Sequence, residues 1–147
     1  MRSIIAALVL TSIASASRAE EWRPAMDYIF IEADCKDAEN PERCRLTKET
    51  WERDYSAAIK GDYQGQRNVA FCLSTGCSYE GFRKNPVLGC AWRVVIVNSG
   101  HLDADQLDAK NLKLFCGPEF LDDVGRTMAD AQARTLLGKL GLTAYLP

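Results

Sequence analysis

Residues 57–76 read Ala57-Ala58-Ile59-Lys60-Gly61-Asp62-Tyr63-Gln64-Gly65-Gln66-Arg67-Asn68-Val69-Ala70-Phe71-Cys72-Leu73-Ser74-Thr75-Gly76. This stretch holds the end of one helical pattern, a stop, and the whole of a second. Gln66, Val69, Ala70 and Leu73 recur at the spacing of one helix face, so the second pattern predicts a helix over 62–75. Gly61 and Gly76 bracket it, at points where a helix end needs a left-handed residue. Upstream, Trp51, Tyr55, Ala58 and Ile59 fall at i, i+4, i+7 and i+8, which predicts a helix over 47–60 with Thr47 as its cap.

Downstream, Asn85-Pro86 opens an almost wholly apolar segment that runs to Val97, with Gly100 beyond it. Pro suits the first helical position, where no backbone donor is needed. Trp92 to Val97 has the composition of a strand. Fourteen residues lie between Asn85 and Gly100, a length that favours a helix. A helix apolar nearly all round belongs in the middle of a stack. A fourth helix is expected over 104–115, burying Leu107, Leu112, Leu114 and Phe115. A fifth is expected over 121–140, with Val124, Met128, Ala131, Leu136, Leu137 and Leu140 turned inward. From Glu20 to Arg45 no period stands out, and Asn40-Pro41 reads as a turn.

Gly61 and Gly100 are 39 residues apart, a period that suggests stacked helix pairs. Aligned on its glycines, the chain shows the small pair Ala57-Ala58 before Gly61, then Gln66-Arg67-Asn68-Val69-Ala70, then Gly76, with Trp92 eight residues before Gly100. This resembles the Sel-one-like repeat family, a relative of the tetratricopeptide repeats, over about Trp51 to Gly117. Gly65 stands where that family usually has Ala, and Ile96-Val97 where it has a second small pair. The resemblance implies stacked antiparallel helix pairs and a scaffold for protein contacts, often in exported bacterial proteins. It also implies that the first helix of each repeat lines the concave side.

The N-terminus has the parts of an export signal: Arg2, the apolar run Ile4 to Ile13, then Ala14-Ser15-Ala16 and Ser17-Arg18-Ala19. The run is shorter than the about 20 residues a membrane span needs. Cleavage after Ala19 leaves 128 of the 147 residues, one domain's worth. It also removes two arginines and no acid, so the formal net charge moves from −2 to −4. A net-acidic chain does not suggest nucleic-acid binding, which calls for a basic excess. The expected location is periplasmic or secreted, with no membrane span after cleavage.

All six cysteines lie beyond the signal, which in an exported chain reads as a disulfide framework. The favoured pairs are Cys35–Cys44 across the Asn40-Pro41 turn, Cys90–Cys116 across a helical hairpin, and Cys72–Cys77 as the remainder. Cys72–Cys90 with Cys77–Cys116 stays open as an alternative. At least three repeats normally make a stable stack, and this chain falls short of that; disulfides, each typically worth roughly 2–4 kcal/mol, fill the deficit.

Sites of chemistry are sparse. The short cysteine spacing of a zinc site does not occur twice over, and His101 is the single histidine. His101 reads as a solvated turn residue. Asp103, Asp105 and Asp108 lack the Gly and distal Glu of a calcium loop, and helix capping explains them better. Asp122-Asp123 reads as a helix start. Neither a phosphate-binding Gly loop nor a Gly-x-Ser-x-Gly elbow occurs. One stripe suggests contact: Tyr63, Arg67 and Phe71 at i, i+4 and i+8, rotated away from the Val69–Leu73 face, of residue types enriched at binding hot spots. The competing structural reading packs Phe71 on a neighbouring helix and leaves Tyr63 covering an edge.

The expectation is therefore an all-α, disulfide-stapled short stack of helix pairs: residues 1–19 a signal peptide, 20–46 an N-terminal cap segment, 47–147 a helical-repeat domain. Its expected role is protein binding without catalysis, metal or cofactor, toward an unidentified protein partner in the cell envelope. The alternative is a small exported enzyme or enzyme inhibitor.

Overall fold

A computed structural model describes residues 22–28, 35–77 and 82–142. The export signal and the middle of the Cys77–Lys84 loop lie outside the described residues. Five α-helices follow two short 3-10 turns, and no strand occurs among the described residues: α1 Pro41–Ala58, α2 Tyr63–Thr75, α3 Pro86–Asn98, α4 Gln106–Phe115 and α5 Asp123–Lys139. Trp92 to Val97, the segment of strand composition, is helical throughout.

The first helix begins at Pro41, not at Thr47, so the boundary between residues 46 and 47 falls inside α1. Asn40-Pro41 is a helix start rather than a turn between elements. The Asn40 side chain accepts from the Arg43 amide at 2.9 Å, and Pro41 takes the first helical position. Thr47 caps nothing: its hydroxyl donates back to the Arg43 carbonyl at 2.8 Å.

Gly61, Gly76 and Gly100 all stand at positive φ, as their role as stops requires. The four residues of the α2 inner stripe are buried. Two glycines do a different job. A Cβ at Gly65 would lie 2.7 Å from the Ala58 backbone nitrogen, so its hydrogen side chain lets α1 and α2 nearly touch. Gly89 does the same for α3 against Ser74 and Ala70 of α2. Glycine at position 65 is thus a packing requirement of this helix pair.

The apolar helix α3 is the centre. It is buried without a break from Gly89 to Ile96, and α2, α4 and α5 pack around it, while α1 packs on α2. The inward faces of the last two helices differ from the expected ones. Leu107 and Leu114 of α4 and Met128 of α5 are half-exposed, and Val124 and Ala131 of α5 are exposed. On α5 the buried stripe is Gly125, Ala129, Ala133, Leu136 and Leu137. Small residues face α3 because they let the two helix backbones come close; the stripe of larger residues one step round the helix is left outside. On α4 the one fully buried residue is Asp108.

The segment before α1 has a definite place. Trp22 stacks on Trp92 with centroids 6.0 Å apart, and Tyr28 packs against Trp51 and Tyr55. The Trp51 indole donates to the Ala25 carbonyl at 2.7 Å, and the Tyr55 hydroxyl to the Arg23 carbonyl at 2.8 Å. Burial, followed by the contact with Tyr28, pushes the Tyr55 phenol well above its ordinary range.

The cysteines pair Cys35–Cys44, Cys72–Cys77 and Cys90–Cys116, with Cα separations of 5.7, 4.2 and 5.3 Å. Two of these pairs are the ones chain geometry favours, and Cys72–Cys77 is the remainder; the alternative of Cys72–Cys90 with Cys77–Cys116 does not occur. Among the described residues no helix is long and apolar enough to cross a membrane.

Candidate functional site

Two capped helix starts build the site. Asp62 caps α2 by accepting from the Gly65 amide at 2.6 Å, which places Tyr63 at the first helical position and Arg67 one turn on. Asp105 caps α4, and the Asp108 carboxylate reaches back to the Asp105 amide at 3.2 Å, completing a capping box. The two starts meet on Asp108, which is 5% exposed. The Tyr63 hydroxyl donates to its Oδ2 at 2.5 Å, and Arg67 Nε lies 3.2 Å from its Oδ1. A buried carboxylate is stable only with such partners.

The surroundings tighten the joint. The Arg67 guanidinium sits over the Tyr63 ring, 5.4 Å from its centroid, and the His101 ring packs on the same tyrosine at 5.4 Å. His101 is therefore half-buried against Tyr63, not simply solvated. Burial, then the bond to Asp108, pushes Tyr63 up to about 12. That takes it away from the range in which a tyrosine serves general acid–base chemistry at neutral pH. The arrangement fixes charge and orientation.

Phe71 is in a different place. It lies two turns along α2 and is 48% exposed. Together with Leu46, 49% exposed, it borders a cleft of about 410 Å³ between α1 and α2. The cleft floor includes Trp51, Asp54 and Asn68, and the Cys72–Cys77 bridge forms part of its wall. Its polar floor is internally satisfied: Asp54 accepts from Asn68 at 3.0 Å and from two guanidinium nitrogens of Arg53 at 2.9 and 3.0 Å. The stripe read from sequence thus splits, with Tyr63 and Arg67 at the α2–α4 joint and Phe71 at the α1–α2 cleft.

Sequence reasoning missed three residues. Asp108 passed as a solvated cap, although the Asp105-x-x-Asp108 spacing was a signal. Arg93, in α3, is the one charged residue between Lys84 and Asp103, an anomaly in an apolar run. Leu46 fell outside the expected helix because the start was placed too late. Among the described residues, no cluster of three or more His, Cys, Asp or Glu side chains is arranged to hold a metal ion. Comparison of the chain with protein-family models, with curated proteins and with solved structures finds no match.

Proposed function

We propose that the chain is an exported protein-interaction module of helical-repeat type, a short relative of the Sel-one-like repeats, that acts by contact rather than by catalysis. The observation that carries this reading is the α1–α2 cleft. Phe71 and Leu46 stand half-exposed beside a floor whose polar groups already have partners, so the cleft offers apolar area without demanding a specific polar ligand. Apolar side chains rimmed by polar ones are a common mark of a protein contact surface. Helix-pair packing supports the repeat reading: α1 packs on α2, α2 on α3 and α3 on α4 in succession, and α5 returns to α3. Three disulfides and the export pattern at the N-terminus support an oxidising compartment, periplasmic or secreted, where an envelope protein would be the partner.

The test is capture from an envelope extract with the oxidised protein as bait. Phe71→Ala with Leu46→Ala is the discriminating variant, because neither residue holds the fold together. Replacing Tyr63 or Arg67 would instead strip partners from buried Asp108. A partner retained by the wild type and lost by the double variant supports the reading. Identical capture by both proteins removes the cleft from it.

A further inference from the structure

Arg93 projects from the most buried stretch of α3 and is 6% exposed. Its guanidinium lies 4.1 Å from the Phe115 ring centroid, and one of its terminal nitrogens is 3.4 Å from the Ser74 hydroxyl, a long hydrogen bond. The Ser74 hydroxyl itself donates to the Ala70 carbonyl at 2.8 Å. Arg93 Nε is buried with no hydrogen-bond partner. No described carboxylate lies in ion-pair range of Arg93. Asp108, whose charge Arg93 feels, is already held by Tyr63, Arg67 and the Asp105 amide. Burial accordingly lowers the guanidinium to about 10, Asp108 offsetting part of the effect and Arg67 adding to it.

A buried cation without a counter-ion is costly, and folds rarely keep one without a use. Here α2 and α4 flank α3, and the one buried carboxylate between them, Asp108, is paired with Arg67 and leaves Arg93 without a counter-ion. Ser74, Phe115 and Arg67 are each only half-buried, so Arg93 stops one layer beneath the surface. The planar, forked donor set of a guanidinium matches a two-oxygen anion. We propose that Arg93 is the binding site for a carboxylate, supplied by the C-terminus or an acidic side chain of a protein partner. The carboxylate neutralises Arg93 and takes up its unmatched donors, with the Phe115 ring against the guanidinium face. The source of that group rests on the interaction-module reading; the site itself rests on Arg93.

The experiment titrates the oxidised full chain with sodium acetate against sodium chloride at matched ionic strength, following the thermal midpoint and the Arg93 Nε–H resonance. Acetate is expected to bind saturably, raise the midpoint and shift that resonance. Arg93→Met should weaken acetate binding at least tenfold, with an unliganded midpoint equal to or above that of the wild type. Arg93→Lys, which keeps the charge and loses the fork, should weaken it less. A short peptide with a free C-terminus should bind more tightly than its amide if the C-terminus is the source, and equally if an acidic side chain is. The same response to acetate and chloride, or an unchanged acetate response in Arg93→Met, overturns the site. Should Arg93→Met fail to fold, a wild-type Nε–H resonance that acetate leaves in place overturns it equally. Either result leaves the capture experiment with Phe71 and Leu46 free to succeed or fail by itself.

Discussion

Tyr63 and Asp108 are 45 residues apart in the chain and joined by a 2.5 Å hydrogen bond, which ties the first turn of α2 to the first turn of α4. Tyr63→Phe keeps the ring against His101 and removes only the donor. Asp108 Oδ2 then retains the Asp105 amide alone. The variant is expected to lose about 1–3 kcal/mol of stability, the usual range for withdrawing a partner from a buried acceptor. Urea unfolding at pH 7 measures it.

The same bond predicts a pH dependence. Folding raises Tyr63 from its ordinary value of 10.0 to about 12, chiefly by burial and then through the bond to Asp108. A raised folded value means the stabilisation is complete below pH 10 and is lost as the pH climbs through 12. The gap in unfolding midpoint between wild type and Tyr63→Phe should therefore be full at pH 9 and shrink across pH 10–12. Tyr55, pushed up by burial in both proteins, cancels from the difference. A gap that stays constant to pH 12 would show that the hydroxyl does not bond Asp108.

Gly65 and Gly138 make opposite predictions for one substitution. Ala in place of Gly gains about 1 kcal/mol of helix propensity. At Gly138 on α5 nothing lies within 4 Å of the added Cβ, so Gly138→Ala should stabilise by about that amount. At Gly65 the Cβ meets the Ala58 nitrogen at 2.7 Å and the Asp54 carbonyl at 2.9 Å, both backbone atoms that cannot swing aside. Gly65→Ala should lose about 1–3 kcal/mol, as overpacked sites do. Thermal unfolding of the two variants side by side tests the contrast.

Which parts were legible from sequence follows from how each residue is used. The α2 stripe and the α3 run were readable because large apolar residues repeat at helical spacing and end at glycine. The start of α1 was misread because Asn-Pro serves equally as a turn and as a cap with its first helical residue. On α5 the buried stripe is Gly125, Ala129 and Ala133, which a hydrophobicity pattern scores below the Val124 and Met128 stripe beside it. At the site, Tyr63 and Arg67 were singled out for their types, but their partner was not. Burial of Asp108 depends on a contact between distant segments, and local spacing shows only its capping role.

The bridges should rank by the loop each closes. Chain-entropy arguments give about 3.5 kcal/mol for Cys90–Cys116, about 2.7 for Cys35–Cys44 and about 2.2 for Cys72–Cys77. Their sequence separations of 26, 9 and 5 set that order. Burial leaves the order of the first two to loop length, since Cys44 at 0% and Cys90 at 2% exposure both sit in the core. Paired Cys→Ala variants of each bridge, compared by urea unfolding under non-reducing conditions, should show Cys90–Cys116 as the most costly to remove. Equal losses from all three would show that native packing, not loop closure, sets their contribution.

The segment before α1 carries no period, yet it covers the aromatic centre of the fold, and that makes Trp22 a sharp probe. Its ring lies nearly parallel to Trp92, at 17°, and the Lys139 ammonium lies 5.3 Å from its centroid. One side chain thus links the N-terminal segment to α3 and to the end of α5. An aromatic pair adds about 0.5–1.5 kcal/mol beyond its buried area, and the area itself contributes at about 25 cal/mol per Å². Trp22→Ala should therefore cost about 2–3 kcal/mol. It should also open Trp92, now 1% exposed, to solvent. Iodide quenching of the remaining tryptophans reads that opening directly, because Trp51 stays covered by Phe82 and Tyr55 at centroid distances of 4.9 and 5.6 Å. Greater quenching with lowered stability would identify residues 22–28 as part of the core. Stability within about 0.5 kcal/mol of wild type, the range of ordinary surface substitutions, together with unchanged quenching would mean that the segment rests on the stack without supporting it.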